Sequence, residues 1–510
     1  YPYFRKARRK GRREGESVMA ISFNDIPNTI RVPLAYIEFD NSGALTGTAA
    51  VPYKLLVLGQ QNADATAPAL TPVRITGADQ AGEMFGRGSM LHNMFRLIKG
   101  ANSYLETWAL PAKDNSAGKK AAATVTLSGR ATASGTLYLY IDGQAVSCAV
   151  TADEELSATA ARLASAINAE NSLPVTASAP SEDGGAVMTL TCRWPGESGN
   201  GLSAAVSLYG EEIPAGLGVA CAEFAGGSGD PDMDEVIAAL SDEQWHGIVL
   251  PWTGKAGLAA LAAELDRRWG PMVQKESITF TAFRGTHGET AEFGANSNSH
   301  LITCMGTGDA APQAPYLWAA VYGVVALASL ETDPARPLQT LELAGIIPPP
   351  LKERWTMEER NLLLHDGIAT YMVQAGDIVA IEREVAMYQT NKWGEADPSY
   401  LDITTPATLG FIRYATKSRI TQKYPRHKLA SDGTRYSPGQ AIVTPSVIRG
   451  ELLALYRELE YAGIVENFDA YKADLIVERN GSDRNRVDVL APPDIVNQFR
   501  IFAMKTMFVL

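Results

Sequence analysis

The final twelve residues of the sequence, 499–510, set the hardest condition on any fold, because as a strand they are apolar on both faces. Phe499, Ile501, Ala503, Met507 and Val509 share one face with Lys505, while Phe502, Met504, Phe508 and Leu510 share the other with Arg500 and Thr506. A bare strand of this kind templates aggregation, so it must complete its own sheet or a neighbour's. Residues 19–40 repeat the condition. After the Pro-interrupted stretch 26–33, Ala35, Ile37 and Phe39 alternate with Tyr36, Glu38 and Asp40, the period of a half-buried strand. Two such segments predict a chain that links to copies of itself. Val32, Leu34, Tyr36, Phe499, Ile501, Phe502 and Phe508 are the candidate linking residues.

A chain of 510 residues exceeds one ordinary core and predicts roughly three or four domains. With 46% hydrophobic and 20% charged residues it is neither disordered nor fibrous. Charge is unevenly spread. Residues 1–18 hold seven Lys/Arg against Glu14 and Glu16, so they carry +5; as the whole chain is −12, the remainder is −17. An acidic body argues against general nucleic-acid binding, and the basic leader reads as a disordered segment rather than a nucleic-acid arm. Met19 opens the first patterned segment and is a candidate start. No apolar stretch follows the leader, which makes it a poor signal peptide. The longest apolar run, 316–330, follows Pro315 and is too short for a membrane span, so it predicts a buried helix. Cys148, Cys192, Cys221 and Cys304 show no paired spacing and read as free thiols. Whether Cys148 and Cys192, both in strand-like sequence, are neighbours stays open.

Along the chain, the apolar stretch 55–58, a helix carrying Leu91, Met94, Phe95 and Ile98 behind a candidate cap at Ser89, and a strand near 104–110 form a βαβ unit. Composition then shifts to small and polar residues. Strands at 123–127, 136–141, 145–150 and 187–192, with Asp142-Gly143 as a hairpin turn and one helix at 156–167, mark a β-rich insert. It ends in Gly226-Gly227-Ser228-Gly229-Asp230-Pro231, which reads as a flexible join. Entering and leaving through such joins, the insert is expected on the outside and tolerant of deletion.

Helix and strand signals alternate again from 233 to 330, including a Leu258, Leu261, Leu265, Trp269 stripe, and predict a largely parallel α/β core. Thr356 and Glu359 form a capping box, Gly376-Asp377 turns a hairpin, and Thr405-Pro406 and Thr444-Pro445 open two helices. The predicted segments are a leader at 1–18, an N-terminal arm at 19–40, the first part of the core at 41–115, an outer insertion domain at 116–229, the rest of the core at 230–350, a C-terminal domain at 351–498 and a C-terminal arm at 499–510.

Sites of chemistry are scarce. No complete P-loop, zincin or EF-hand pattern occurs, and Gly86-Arg87-Gly88 reads as a turn between helices. His92, His246, His287, His300, His365 and His427 lack metal-ligand spacing. No cofactor or metal is therefore expected. Gly285-Thr286-His287-Gly288 resembles the histidine motif of subtilisin-like proteases, but no Asp or Ser follows the chain order such a triad needs, so His287 is read as a loop residue. One charged constellation stands out: residues 403–431 hold no Asp or Glu, yet carry Arg413, Lys417, Arg419, Lys423, Arg426 and Lys428. Such a surface is either a solvated face or a site for an acidic protein partner. No groove-reading motif accompanies it that would favour DNA.

In the C-terminal half, Asp333-Pro334-Ala335-Arg336-Pro337-Leu338-Gln339-Thr340-Leu341, Gly345-Ile346-Ile347-Pro348-Pro349, Tyr388-Gln389-Thr390-Asn391 with Gly394, and Ser399-Tyr400-Leu401-Asp402 stand in order. Gly463-Ile464-Val465-Glu466-Asn467-Phe468 and Pro493-Asp494-Ile495-Val496-Asn497-Gln498 follow. Together they resemble the tail sheath proteins of Mu-like contractile phages, over essentially everything after Met19. The resemblance implies a subtilisin-like α/β core without a catalytic triad, a β-rich insertion and extended terminal arms that complete a neighbour's sheet. It implies a non-enzymatic subunit of a virion tail, assembled in the host bacterial cytoplasm as a helical homo-oligomer around a tail tube protein, with baseplate and tail terminator proteins as further partners and neither nucleic acid nor membrane insertion. Arg413, Lys417, Lys423 and Lys428 become tube-facing candidates. A tailocin or secretion-type sheath, or an α/β hydrolase, are the alternatives.

Overall fold

The computed structural model describes residues 51–178 and 186–508. The leader, the N-terminal arm with Val32, Leu34 and Tyr36, and Val509 and Leu510 lie outside the described residues. The first part of the core comprises β1 (Lys54–Gln60), β2 (Val73–Ile75), α1 (Ala78–Phe85), α2 (Met90–Ala101) and β3 (Glu106–Ala112). β1 is apolar without alternation, as a strand covered on both faces must be. Ser89 caps α2, its hydroxyl accepting from the His92 amide at 3.1 Å.

The insert contains β4 (Lys120–Gly129), β5 (Gly135–Ile141), β6 (Gln144–Val150), α3 (Leu156–Ala169), β7 (Val175–Ser178), β8 (Val187–Pro195), β9 (Ala204–Val206) and β10 (Leu217–Cys221). These form two antiparallel sheets, ordered β10-β4-β8-β7 and β6-β5-β9. Asp142 and Gly143 join β5 to β6 with φ of 50° and 78°, the left-handed pair that a two-residue hairpin requires.

The core resumes with α4 (Met233–Ala239), β11 (Gly247–Val249), α5 (Lys255–Trp269), β12 (Ile278–Phe283), α6 (His287–Gly294), β13 (Ile302–Gly306) and α7 (Pro315–Thr332). Segments from both sides of the insert build one sheet, ordered β13-β12-β11-β1-β3-β2 and parallel except for β2. Alternation along β1 divides the core: Leu55 and Val57 join α2 and α7 on one face, while Leu56 and Leu58 join α4 and α5 on the other. α7 is apolar all round because it is buried all round. Among the described residues no helix is long and apolar enough to cross a membrane.

Three expectations need correction here. His287 is not in a loop: it opens α6, because Thr286 just before it is the N-cap and forms a capping box with Glu289 in the first turn. Nor is the join at 226–231 left loose. Ser228 bridges Lys119, the Asn200 side chain brackets Gly227 through bonds of 2.9 and 2.8 Å, and an Asp230 carboxylate oxygen accepts from the Glu197 amide at 2.6 Å. The insert, moreover, shares a continuous hydrophobic core with α2 and α7, where the Trp194 ring meets Tyr316 edge-on at 5.7 Å.

The C-terminal part contains α8 (Met357–His365), β14 (Thr370–Gln374), β15 (Ile378–Arg383), α9 (Thr404–Lys423), β16 (Lys428–Leu429), β17 (Ile442–Val443), α10 (Pro445–Tyr461), β18 (Val465–Glu466), α11 (Phe468–Asp474), β19 (Ile476–Arg479), β20 (Val487–Leu490) and β21 (Asp494–Ile495). The β14–β15 hairpin adjoins the core through a bridge from Ala369 to Met305 of β13. α9, α10, α11 and β19 enclose a separate small core around Leu452, Leu455, Tyr456 and Leu459. α9 begins one residue before the Thr405-Pro406 signal, behind Ile403, which offers no capping side chain.

Candidate assembly surface

The C-terminal arm leaves the body at a fixed root. Arg500 grips the fully buried Glu384 with both terminal nitrogens of its guanidinium, Nη1 at 3.2 Å and Nη2 closer, and Nη1 also donates to the Gln339 Oε1 at 3.2 Å. Glu384 in turn accepts from the Leu338 amide at 3.2 Å, and Asp402 lies 3.6 Å from Arg500 while forming a bidentate pair with Arg383 at 2.9 and 3.0 Å. Gln498 adds a bond to the Ala335 carbonyl at 3.1 Å. The signature around 333–339 and 399–402 thus does a physical job: it builds the socket for residue 500. Replacing Arg500 by Ala leaves the Glu384 carboxylate buried without its cation, and is expected to destabilise the subunit by about 3–5 kcal/mol. Thermal unfolding checks this, and the R500A/E384Q double variant should recover much of the loss.

Past the root nothing among the described residues covers the arm. Phe499, Ile501, Phe502, Met504, Met507 and Phe508 are each at least 73% exposed, and residues 499–508 pair with no strand among the described residues. Six large apolar side chains held in water are a liability of about 1.5–3 kcal/mol apiece relative to burial.

Elsewhere on the same domain, β19 and β20 form a hairpin of two strands only, registered Ile476 to Leu490. An isolated pair of strands is marginal in water, and here both outer edges lack a partner among the described residues. Beneath the hairpin, a cavity of about 370 Å³ is lined by Ile420, Leu429, Ile448, Leu452, Tyr456 and Val487.

The basic stretch is less concentrated in space than in sequence. Arg413 lies over the Trp269 ring and donates to the Trp269 carbonyl and to Glu276, both at 2.7 Å, which ties α9 to the core. Arg419 pairs with Glu451 at 2.8 Å and with Glu458, and Lys423 shares Glu451 at 2.8 Å. Lys428 donates to the Gln440 side chain at 3.0 Å. Lys417 and Arg426 are exposed and make no ion pair among the described residues. Arg413 and Lys423, read as open to a partner, are therefore partly neutralised by acids that α10 and the core supply.

Among the described residues no group of three or more His, Cys, Asp or Glu is placed to hold a metal ion. His287 Nε2 lies 3.0 Å from the Glu359 carbonyl, with its ring edge-on to Trp355, so its neighbours are those of a packing residue. All four cysteines are free thiols.

Residues 226–387 match the phage tail sheath protein central domain and residues 395–508 match the phage tail sheath C-terminal domain. A tail sheath protein of a Mu-like prophage in Haemophilus influenzae is 45% identical over 493 residues, 96% of this chain and 100% of that protein. Among solved structures, a sheath tail protein of Desulfitobacterium hafniense aligns at 12% identity with a TM-score of 0.47, over 91% of this chain and 100% of that one. A sheath tail protein of Listeria innocua aligns at 13% identity and 0.46, over 88% and 96%. Matched to a relative from end to end at 45% identity, the chain belongs to the Mu-like family of phage tail sheath proteins.

Proposed function

We propose that this tail sheath subunit polymerises helically around a tail tube, stays joined to its neighbours through its terminal arms while the array shortens, and so drives the tube through the host envelope. The exposed apolar arm from Phe499 onward carries the reading. A soluble monomer has no use for six uncovered large side chains, whereas a neighbour that offers a hairpin with free edges gives them main-chain bonds and cover at once. Because such bonds run along the backbone of the arm, bodies can rotate and slide past one another without releasing it. Residues 19–40, with Val32, Leu34 and Tyr36, are the second arm of the same scheme.

On this reading the parallel core is a subtilisin-like layer with no catalytic task, and the protein is not an enzyme. Baseplate and terminator proteins close the two ends of the array, which forms in the host cytoplasm and ends up on the virion tail. The face of α9 bearing Lys417, with Lys423 and Lys428 nearby and Arg413 at its root, addresses an acidic tube in the extended state. Reversing charge with K417E/K423E is expected to abolish extended assembly on purified tubes while leaving the fold intact. As Lys423→Glu also meets Glu451, K417E alone is tested beside it with thermal unfolding. Undiminished tube-bound assembly by the double variant sinks the tube-facing assignment.

A further inference from the structure

We propose that a proton-sensitive latch holds the insertion domain to the core: the Asp142 side chain, at the tip of the β5–β6 hairpin, plugs the N-terminus of α7. Asp142 is 1% exposed, and its carboxylate accepts from the Ala314 amide at 2.6 Å and from the Tyr316 hydroxyl at 2.8 Å. Ala314 is the N-cap of α7 and offers no capping side chain, so a residue from another domain fills that role.

The contact is locked from several sides. Next to Asp142, a Cβ at Gly143 would come within 2.9 Å of both Gln313 and Ile347, so only glycine fits beneath α7. Ser203 donates to the Pro312 carbonyl at 2.5 Å, and Arg284 donates to the Gly201 carbonyl at 2.8 Å. A charged tip inserted into an apolar interface is an odd choice for a purely mechanical contact, because burial penalises the ionised form.

The groups facing Asp142 leave that penalty only partly offset. Burial raises the carboxyl to about 6, against the lowering effects of the Ala314 amide, the Tyr316 hydroxyl, Arg284 from the loop after β12 and Arg96 from α2. Cys192 of β8 also faces it, its thiol pushed up to about 12 chiefly by burial. A carboxyl that binds its proton more tightly when docked than when open favours docking at low pH. Closure is therefore strongest below the open-state value, weakens as pH rises toward 6, and stays at its weaker level above it. Docking strips the carboxylate of its hydration, a cost the neutral acid largely escapes.

Hydrogen exchange of the full-length chain in dilute solution tests this at residues 314–318 and along the β5–β6 hairpin. After correction for intrinsic exchange, opening of the wild type is expected to rise about tenfold between pH 5 and 7 and then level off. Asp142→Asn keeps an acceptor for Ala314 but cannot ionise, so its profile should be low and flat. Tyr316→Phe removes a donor to the carboxylate and should move the wild-type midpoint to higher pH. Asp142→Ala should open at every pH; if it fails to fold, the wild-type and D142N profiles decide alone. Identical profiles for wild type and D142N, or an unmoved midpoint in Y316F, overturn the latch.

Discussion

Truncation directly after Arg500 is expected to abolish sheath assembly completely while leaving the subunit's thermal midpoint within a few degrees of wild type. Among the described residues the body's hydrogen bonds to the arm reach Gln498, Phe499 and Arg500, and the large side chains beyond are mostly exposed, so their removal subtracts little from the body's own packing. What it subtracts is the strand a neighbour would receive. Removing residues 499–510 should abolish assembly equally, but with a stability loss, because it also strips Glu384 of Arg500. Negative-stain microscopy of both truncations, beside thermal unfolding, separates linkage from folding. Full-length sheaths formed by the shorter arm would rule out the arm scheme, whatever the stability of the subunit.

The second large effect concerns the insert. Excising residues 116–229 and closing the gap is expected to give an insoluble or non-cooperatively unfolding chain instead of a trimmed subunit. Geometry is not the obstacle, since the Lys119 amide already bonds the Ser228 carbonyl at 2.8 Å and the two joins lie side by side. The loss is in what the insert covers. Tyr316, fully buried, would lose both Trp194 and Asp142, and Gln60 at the end of β1 would lose the Pro195 carbonyl it binds at 2.7 Å. Each buried aromatic stripped from such an interface costs about 3–5 kcal/mol, which several losses together push beyond the stability of an ordinary domain. A soluble deletion chain with a sharp transition near the wild-type midpoint would show the insert to be a dispensable ornament.

That second expectation reverses what composition suggests, and the reason is instructive. Gly226-Gly227-Ser228-Gly229 reads as a flexible join because glycine permits flexibility, but Asn200, from a distant part of the insert, brackets it. Local chemistry was otherwise informative. Ser89 and the Thr356–Glu359 box cap their helices because a side-chain oxygen three residues ahead of an orphan amide needs no tertiary context. Asp142-Gly143 turns where it should for the same reason. α1 and α9 start behind Gly77 and Ile403, which carry no capping group, so the helix implied before the Gly86–Gly88 turn had no legible start and that of α9 was offset.

Charge shows the limit most clearly. The stretch 403–431 contains no acid in sequence, yet Arg419 and Lys423 meet Glu451, which α10 delivers across the helix pair. Likewise, the apolar pattern of residues 499–508 announced that cover was needed, but nothing in it showed that Arg500 is the anchor, because its partner Glu384 is distant in the chain. Short-range rules expose what a segment demands; which distant residue meets the demand is settled by topology.

The way the insert interrupts the central sheet also fixes an order of events during synthesis. β1 must wait for β11 to emerge before Leu55 can align with Gly247, while all seven strands of the insert are contiguous between them. By chain order the interrupted half-sheet is expected to leave the ribosome first with its edge open, the insert to condense next, and the core sheet to close after it, before the C-terminal part is complete. The inserted domain is thus positioned to act as a template on which the two halves of its host are brought together.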